Sequence, residues 1–186
     1  METGVSAGFP DFYRQMMHLE KADARQYSPL VLAYVGDAVY EIMVRTKMVS
    51  AGNLPVNKLH KNSSHLACAG TQAKIIKALE EELTEEEHAV FKRGRNAKSM
   101  SSAKNASIVD YRLATGFEAL VGWLFLSEQF ERMTELVSRG FAALEEEEAR
   151  ESAVQDKEEK ETIESAAPGK EEKEAGEPKI WEKETP

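Results

Sequence analysis

Wherever the apolar positions of this chain follow a repeat, it is the helical one. Ser28-Pro29 supplies an N-cap and a proline at the first helical position. Leu32, Val35, Val39, Ile42 and Thr46 then recur at spacings of 3, 4, 3 and 4, which predicts a helix ending near Gly52. A second periodic segment follows Pro55 and carries Leu59, Leu66, Ala69, Ala73, Ile76, Leu79 and Leu83. Thr84 with Glu87 three residues later is a capping box, so a new helix opens there and should close near Gly94. Arg95 to Ser107 is polar, rich in Ser, Asn and Ala and without period, which predicts a long loop. From Ile108 to Ser127 the period returns: Leu113, Phe117, Leu120 and Leu124 share one face, with Ala114, Val121 and Phe125 beside it. A last helix, Glu128 to Leu144, carries Met133, Leu136, Val137 and Phe141. No segment alternates with period 2 and no stretch repeats, so the pattern predicts an all-α fold, a helical bundle.

This pattern sets the boundaries. The folded domain is expected over residues 27–144. Residues 1–26 form an N-terminal extension, in which Phe9, Phe12, Met16, Met17 and Leu19 suit a short amphipathic helix or an arm. Between Glu145 and Pro186 the large apolar side chains are Val154, Ile163, Ile180 and Trp181. So few cannot offset the entropy of ordering the segment, and a disordered acidic tail is expected over 145–186, with at most a transient helix at its start.

Charge separates these regions further. The chain has 186 residues with 33 acidic and 24 basic side chains, net −9. The tail holds 16 of the acidic and 7 of the basic ones, so residues 1–144 carry 17 of each and are neutral. The net negative charge therefore does not argue against a nucleic-acid-binding domain. A single cysteine, Cys68, excludes an internal disulfide framework and a cysteine-based zinc cluster; flanked by alanines on an apolar stripe, it is expected in the core. No apolar run reaches the roughly 18 residues of a membrane span. No basic start precedes an apolar stretch as in a secretory signal, so a cytoplasmic protein is expected.

Two helices hold carboxylates where the pattern does not want them. From Ser28 to Val44 the charged residues are Asp37 and Glu41; from Leu113 to Ser127 the one charged residue is Glu118. An ionised carboxylate on a mostly apolar helix is costly unless it is paired or metal-bound. Glycines stand beside both, Gly36 before Asp37 and Gly116 and Gly122 around Glu118. Such glycines are easiest to explain if another helix or a ligand approaches closely. If the two helices cross, Asp37 and Glu118 can meet and hold a hard cation through oxygen ligands. Glu41, four residues from Asp37 and on its face, is the candidate third ligand. The alternative is an ion pair with Arg45 or Arg112.

A second constellation is basic. Lys92 to Arg112 contains six basic residues and one acidic, net +5. A helix end opening into Arg93, Arg95, Asn96 and Lys98 suits phosphate oxygens, with arginine bidentate, lysine as a point charge and asparagine as a hydrogen-bonding group. The alternative is a solvated loop, or one paired with the acidic run Glu80–Glu87. His60 and His65 are five apart, a poor spacing for a shared helical metal site. His60, Lys61 and Ser64 can instead contact a nucleic acid or satisfy the backbone locally.

At these residues a resemblance emerges. LAYVGDAVYE (Leu32 to Glu41) resembles the signature helix of the ribonuclease III family. KRGRNAKS (Lys92 to Ser99) and TGFEALVGWLFL (Thr115 to Leu126) are similar to the matching parts of the family's short, dimeric bacterial branch, the mini-ribonucleases III. The resemblance spans Tyr27 to Leu144, with its three motifs in the family's order. It implies an all-helical endonuclease domain that dimerises through the signature helix. It further implies Mg2+-dependent hydrolysis of double-stranded RNA, leaving a 5′ phosphate and a 3′ hydroxyl. For the short branch it implies maturation of the large-subunit (23S) ribosomal RNA precursor, with no separate double-stranded-RNA-binding domain following. The implied partners are duplex RNA, a second copy of the chain and, on the precursor, a ribosomal protein. Asp37 matches the signature aspartate and Glu118 the late glutamate, both metal ligands and catalytic in the family. Arg93, Arg95, Asn96 and Lys98 match the RNA-gripping segment.

The longer ribonuclease III enzymes have acidic residues at the positions of Leu30, Ala33 and Thr115, all uncharged here. That favours the short branch and leaves two ligands per site. Two carboxylates suffice in principle for Mg2+, which keeps several waters. The competing functions are a non-catalytic helical RNA-binding or ribosome-associated protein that shares the basic loop, and an adaptor acting through its acidic tail.

Overall fold

The computed structural model describes residues 8–21, 23–98 and 107–166. It divides into two compact units, Met1–Glu146 and Glu147–Pro186. The described helices are α1 (Phe9–Met16), α2 (Pro29–Ser50), α3 (Val56–Ala67), α4 (Ala69–Leu79), α5 (Glu85–Arg95), α6 (Ile108–Leu126) and α7 (Phe130–Ala166), with short 3-10 turns at Ala24–Gln26 and Glu80–Glu82. No strand occurs among the described residues, and the all-α expectation holds. Nor is any described helix long and apolar enough to cross a membrane.

The caps follow the sequence. Ser28 Oγ accepts from the Val31 N–H, and Ser107 Oγ from the Asp110 N–H. At α5, Thr84 Oγ1 accepts from the Glu87 N–H while the Glu87 carboxylate accepts from the Thr84 N–H, the reciprocal box expected there. Glu87 goes on to bind Arg132 of α7 at 2.8 Å. Burial pushes the Glu87 carboxyl up, but the Arg132 and Thr84 hydrogen bonds outweigh it and hold the group below its usual range. About one turn before Arg132, in the turn between α6 and α7, Glu128 takes both Arg14 and Lys21, anchoring the extension.

Three local features differ from the sequence expectation. The segment after Pro55 is two helices, broken at Cys68, whose backbone is extended (φ −73°, ψ 152°). Cys68 is therefore exposed at the break rather than in the core. The final helix does not stop at Leu144 but runs to Ala166, because Glu, Ala, Lys and Arg are strong helix formers that need no core. Residues 1–7, 22, 99–106 and 167–186 lie outside the described residues, and with them Lys104 and the end of the acidic tail.

The third difference is the buried face of α2. The residues it buries are Leu32, Ala33, Gly36, Tyr40 and Val44, whereas Ile42, placed on the core stripe by periodicity, is 66% exposed. A helix apolar around most of its circumference gives periodicity no side to choose. Contact decides it, because α2 approaches α6 where both carry glycine. A Cβ added to Gly36 would lie 1.8 Å from the Glu118 carbonyl oxygen, and one on Gly122 would lie 2.0 Å from that of Leu32. The backbones touch there, and no side chain fits between them. Tyr40 is fully buried one turn on, its ring edge-on to Phe117 and its hydroxyl donating to the Leu66 carbonyl at 2.9 Å.

Gly36→Ala should therefore unfold the protein readily, with a loss at the upper end of about 1–3 kcal/mol or beyond. Gly70 has nothing within 4 Å of an added Cβ, so Gly70→Ala should be neutral or stabilising by at most about 1 kcal/mol. Urea titrations of the two variants check this; equal midpoints would contradict the backbone contact.

Candidate active site

From Leu113 to Leu124 every residue of α6 is buried except Glu118, which is partly exposed. Its carbonyl is the one that Gly36 abuts, so Asp37, the next residue of α2, lies beside the same crossing. Burial pushes the Glu118 carboxyl up, Asp37's negative charge pushes it further, and a hydrogen bond from Gln72 pulls it partly back, to about 7. Asp37, on the outer side of the crossing, is raised by burial and by the charge of Glu41. No basic side chain offsets either shift. Arg45 pairs with Glu41 at 2.5 Å instead, which sets aside the alternative of an Arg45–Asp37 pair. The structure thus brings two carboxylates together without a counter-charge from the described residues.

Glu41 does not complete a cage. Among the described residues no three His, Cys, Asp or Glu side chains stand close enough to enclose a metal ion. At the three other positions where longer relatives are acidic, Leu30 is exposed, Ala33 is buried, and Thr115 donates its hydroxyl to the Tyr111 carbonyl at 3.0 Å. The donor set is two hard carboxylate oxygen groups, both with their acidity weakened by burial and by a neighbouring negative charge. That set fits a hard divalent cation that retains water, and not zinc.

The basic segment lies against the same helix. A Cβ on Gly94, in the last turn of α5, would fall 2.7 Å from the Ala119 Cβ and 3.0 Å from the Thr115 carbonyl oxygen, so the end of α5 rests on α6 within a turn of Glu118. Lys92, Arg93, Asn96 and Lys98 are exposed there. Arg95 is partly buried, its guanidinium 5.6 Å from the centre of the Phe91 ring and its Nε donating to Asn96 Oδ1 at 3.4 Å. Much of the neighbouring acidic run is engaged elsewhere: Glu80 with His88, Glu82 with Arg139 and Glu87 with Arg132. Sequence reasoning missed Gln72, a buried amide on α4 beside Glu118; a polar residue next to Ala73 in the apolar stripe was its one signal.

The family model described as Ribonuclease III domain matches residues 30–129, more than half of the chain. The chain belongs to the ribonuclease III family, in its mini-ribonuclease III branch. A Mini-ribonuclease 3 of Clostridium tetani is 52% identical over 118 residues, covering 63% of this chain and 78% of that one. One from Enterococcus faecalis is 50% identical over 118 residues, covering 62% and 89%. A crystal structure of a Fusobacterium nucleatum protein matches with a TM-score of 0.59 at 28% identity, covering 64% of this chain and 96% of that one. Membership places the chain among the endoribonucleases.

Its acid–base chemistry has a stability consequence. Folded Glu118 keeps its proton to about pH 7, whereas the unfolded chain releases it near the ordinary 4.5. Between those values the folded state binds more protons, so this group's contribution is full below the window and is lost as pH rises through it. Thermal melts in EDTA should show Tm falling across the window, and Glu118→Gln, neutral throughout, should flatten the fall. An unaltered slope in the variant would place the titration elsewhere.

Proposed function

We propose that this chain is a divalent-metal-dependent endoribonuclease that cuts both strands of duplex RNA as a homodimer and trims the ends of the large-subunit ribosomal RNA precursor. The observation that carries the reading is the pair Asp37 and Glu118, uncompensated at the α2–α6 crossing beside the basic end of α5. Asp37 and Glu118 would hold Mg2+, with water and a substrate phosphate completing its shell. When bound, the ion would supply Lewis acidity, lowering the pKa of the attacking water so that it loses its proton more readily, and offsetting charge on the departing 3′ oxygen. The chain's own part is to fix the carboxylates in place and to present cations to the phosphates flanking the cut. Arg93, Arg95 and Lys98 would grip those phosphates, and Asn96 would bond to them. Recognition would then rest on the shape of A-form RNA rather than on base sequence.

One observation and one symmetry argument support the dimer. Tyr34 is 81% and Ile42 66% exposed, and with Val31 and Val49 they line an outward apolar side of α2 that the domain's own core leaves uncovered. Two sites related by a two-fold axis also match the two strands of a duplex. The precursor assignment and a ribosomal protein as partner rest on the branch resemblance, and a cytoplasmic location fits an RNA-processing role.

One pair of variants separates chemistry from grip. Asp37→Asn removes a hard ligand with little change in shape, and should abolish cleavage of a long duplex in Mg2+ while RNA still binds. The triple variant Arg93→Ala, Arg95→Ala, Lys98→Ala should weaken binding alike across sequences. Its log K against log salt should flatten by about 0.9 for each duplex phosphate that the protein no longer neutralises. Near-normal turnover in Asp37→Asn would overturn the metal site. Unchanged affinity and salt slope in the triple variant would remove α5 from the RNA-binding surface.

A further inference from the structure

The longest stretch of the chain without an acidic residue runs from Ile42 to Leu79, and it holds six lysines and arginines. Three of the six are paired: Arg45 with Glu41, Lys47 with Glu145 and Lys77 with Asp110. Lys58 and Lys61, both on α3, are not; no carboxylate of the described residues reaches either. They stand three apart, and Asn57, Ser64 and His65 are exposed beside them on the outer side of α3. The inner side is tied to the domain. Buried Ser63 donates to the His60 carbonyl at 3.1 Å, the Thr71 hydroxyl to the His65 carbonyl at 2.8 Å and Gln72 Nε2 to the Ala67 carbonyl at 3.3 Å. Ser63 thus satisfies the backbone locally, which leaves Lys61 and Ser64 to solvent or a ligand.

This outer side borders the candidate active site. Asp37, Glu41, Arg45 and Met48 follow one another at spacings of 4, 4 and 3, so they share one side of α2. Arg45 and Met48 line a cleft with Leu59, His60 and Ser63 of α3, so α3 runs along the Asp37 side of α2. Its last turn meets α2 at Tyr40, three residues after Asp37, where the Tyr40 hydroxyl donates to the Leu66 carbonyl at 2.9 Å. Each helix of the crossing therefore has one basic neighbour: α6 has the end of α5, and α2 has α3. Glu41, the acid next to Asp37 along that side, is held by Arg45. The 12 residues of α3 extend about 18 Å from there.

We propose that the outer side of α3, centred on Lys58 and Lys61, is a second phosphate-binding surface for duplex RNA, separate from the end of α5 and holding the backbone away from the cut. This rests on the reading of the chain as a nuclease of duplex RNA. The two lysines meet phosphate oxygens as point charges, Asn57 and Ser64 supply hydrogen bonds, and none of these contacts reads a base. An acidic protein would call for the same cations, but the placement favours RNA: a duplex seated at Asp37 lies next to α3, and no acid on this side of α3 repels it.

The test uses the full chain, the double variant Lys58→Ala, Lys61→Ala and its charge-keeping counterpart Lys58→Arg, Lys61→Arg. Binding to a long duplex RNA is measured in EDTA over a range of salt, and cleavage of the same duplex in Mg2+. In the alanine variant log K against log salt should flatten by about 0.9 per lysine, and affinity at 0.1 M salt should fall about tenfold or more. The arginine variant should keep both. KM should rise in the alanine variant with kcat unchanged, because contacts away from the cut hold substrate and transition state alike. Tm should stay level, since neither lysine is paired and alanine suits a helix. Parental affinity and salt slope in the alanine variant overturn the proposal, as they would if α3 served an acidic protein instead. A lower kcat at parental KM overturns it too. The triple variant of α5 is measured alongside. If that variant binds weakly while the α3 variant binds as the parent does, the second surface alone fails; if the parent itself binds no duplex, the nuclease reading fails and the second surface with it.

Discussion

The rest of the structure depends on the backbone contact between α2 and α6. Gly36 and Gly122 let two carbonyl groups, of Glu118 and of Leu32, occupy space that any side chain would fill. Everything nearby is positioned by that approach. It seats Tyr40 between Phe117 and the end of α3, and it turns one apolar side of α2 outward. It also places Asp37 beside the only charged residue in the buried stretch of α6. A second contact of the same kind, Gly94 on Ala119 and Gly116 on Phe91, brings the basic end of α5 to the same part of α6. The site is thus built where helices touch through glycine, and its two polarities, an acidic pair at the crossing and a basic end of α5 beside it, come from elements far apart in sequence.

The electrostatics of the crossing are left unbalanced. Elsewhere in the domain, buried and half-buried carboxylates are compensated: Glu87 by Arg132, Glu128 by Arg14 and Lys21. At the crossing no described cation offsets the shift of either Asp37 or Glu118, and Glu118 keeps its proton to about neutrality. A domain that neutralises such acids elsewhere but not this pair has room there for a positive charge from outside. Two carboxylates are few for a protein-only cage, yet they suit an ion that shares its shell with water and with phosphate. On the proposed function, the neighbouring arginines and lysines would attract that phosphate.

Much of this is legible in the chain itself. The α6 core positions Leu113, Phe117, Leu120 and Leu124, the capping box at Thr84 and the two misplaced carboxylates are local signals, and each appears where its pattern put it. The face of α2 is not legible, because a helix apolar on both sides owes its orientation to glycine contact rather than to periodicity. The break at Cys68 is hidden for a related reason: the apolar spacing runs across it, and the nearest glycine, Gly70, lies within α4 rather than at the break. The extension of α7 past Leu144 reflects helix propensity acting without burial, a weaker force than the one that periodicity detects.

The central claim, that Asp37 and Glu118 share one divalent ion, is tested most directly by crystals grown with Mn2+ and measured for its anomalous scattering. The account predicts an anomalous peak at the α2–α6 crossing, about 2.1 Å from a carboxylate oxygen of each residue, close to the distance expected for the Mg2+ it replaces. A crossing without such a peak at saturating Mn2+, or a peak held by other side chains with Glu118 uninvolved, would contradict it.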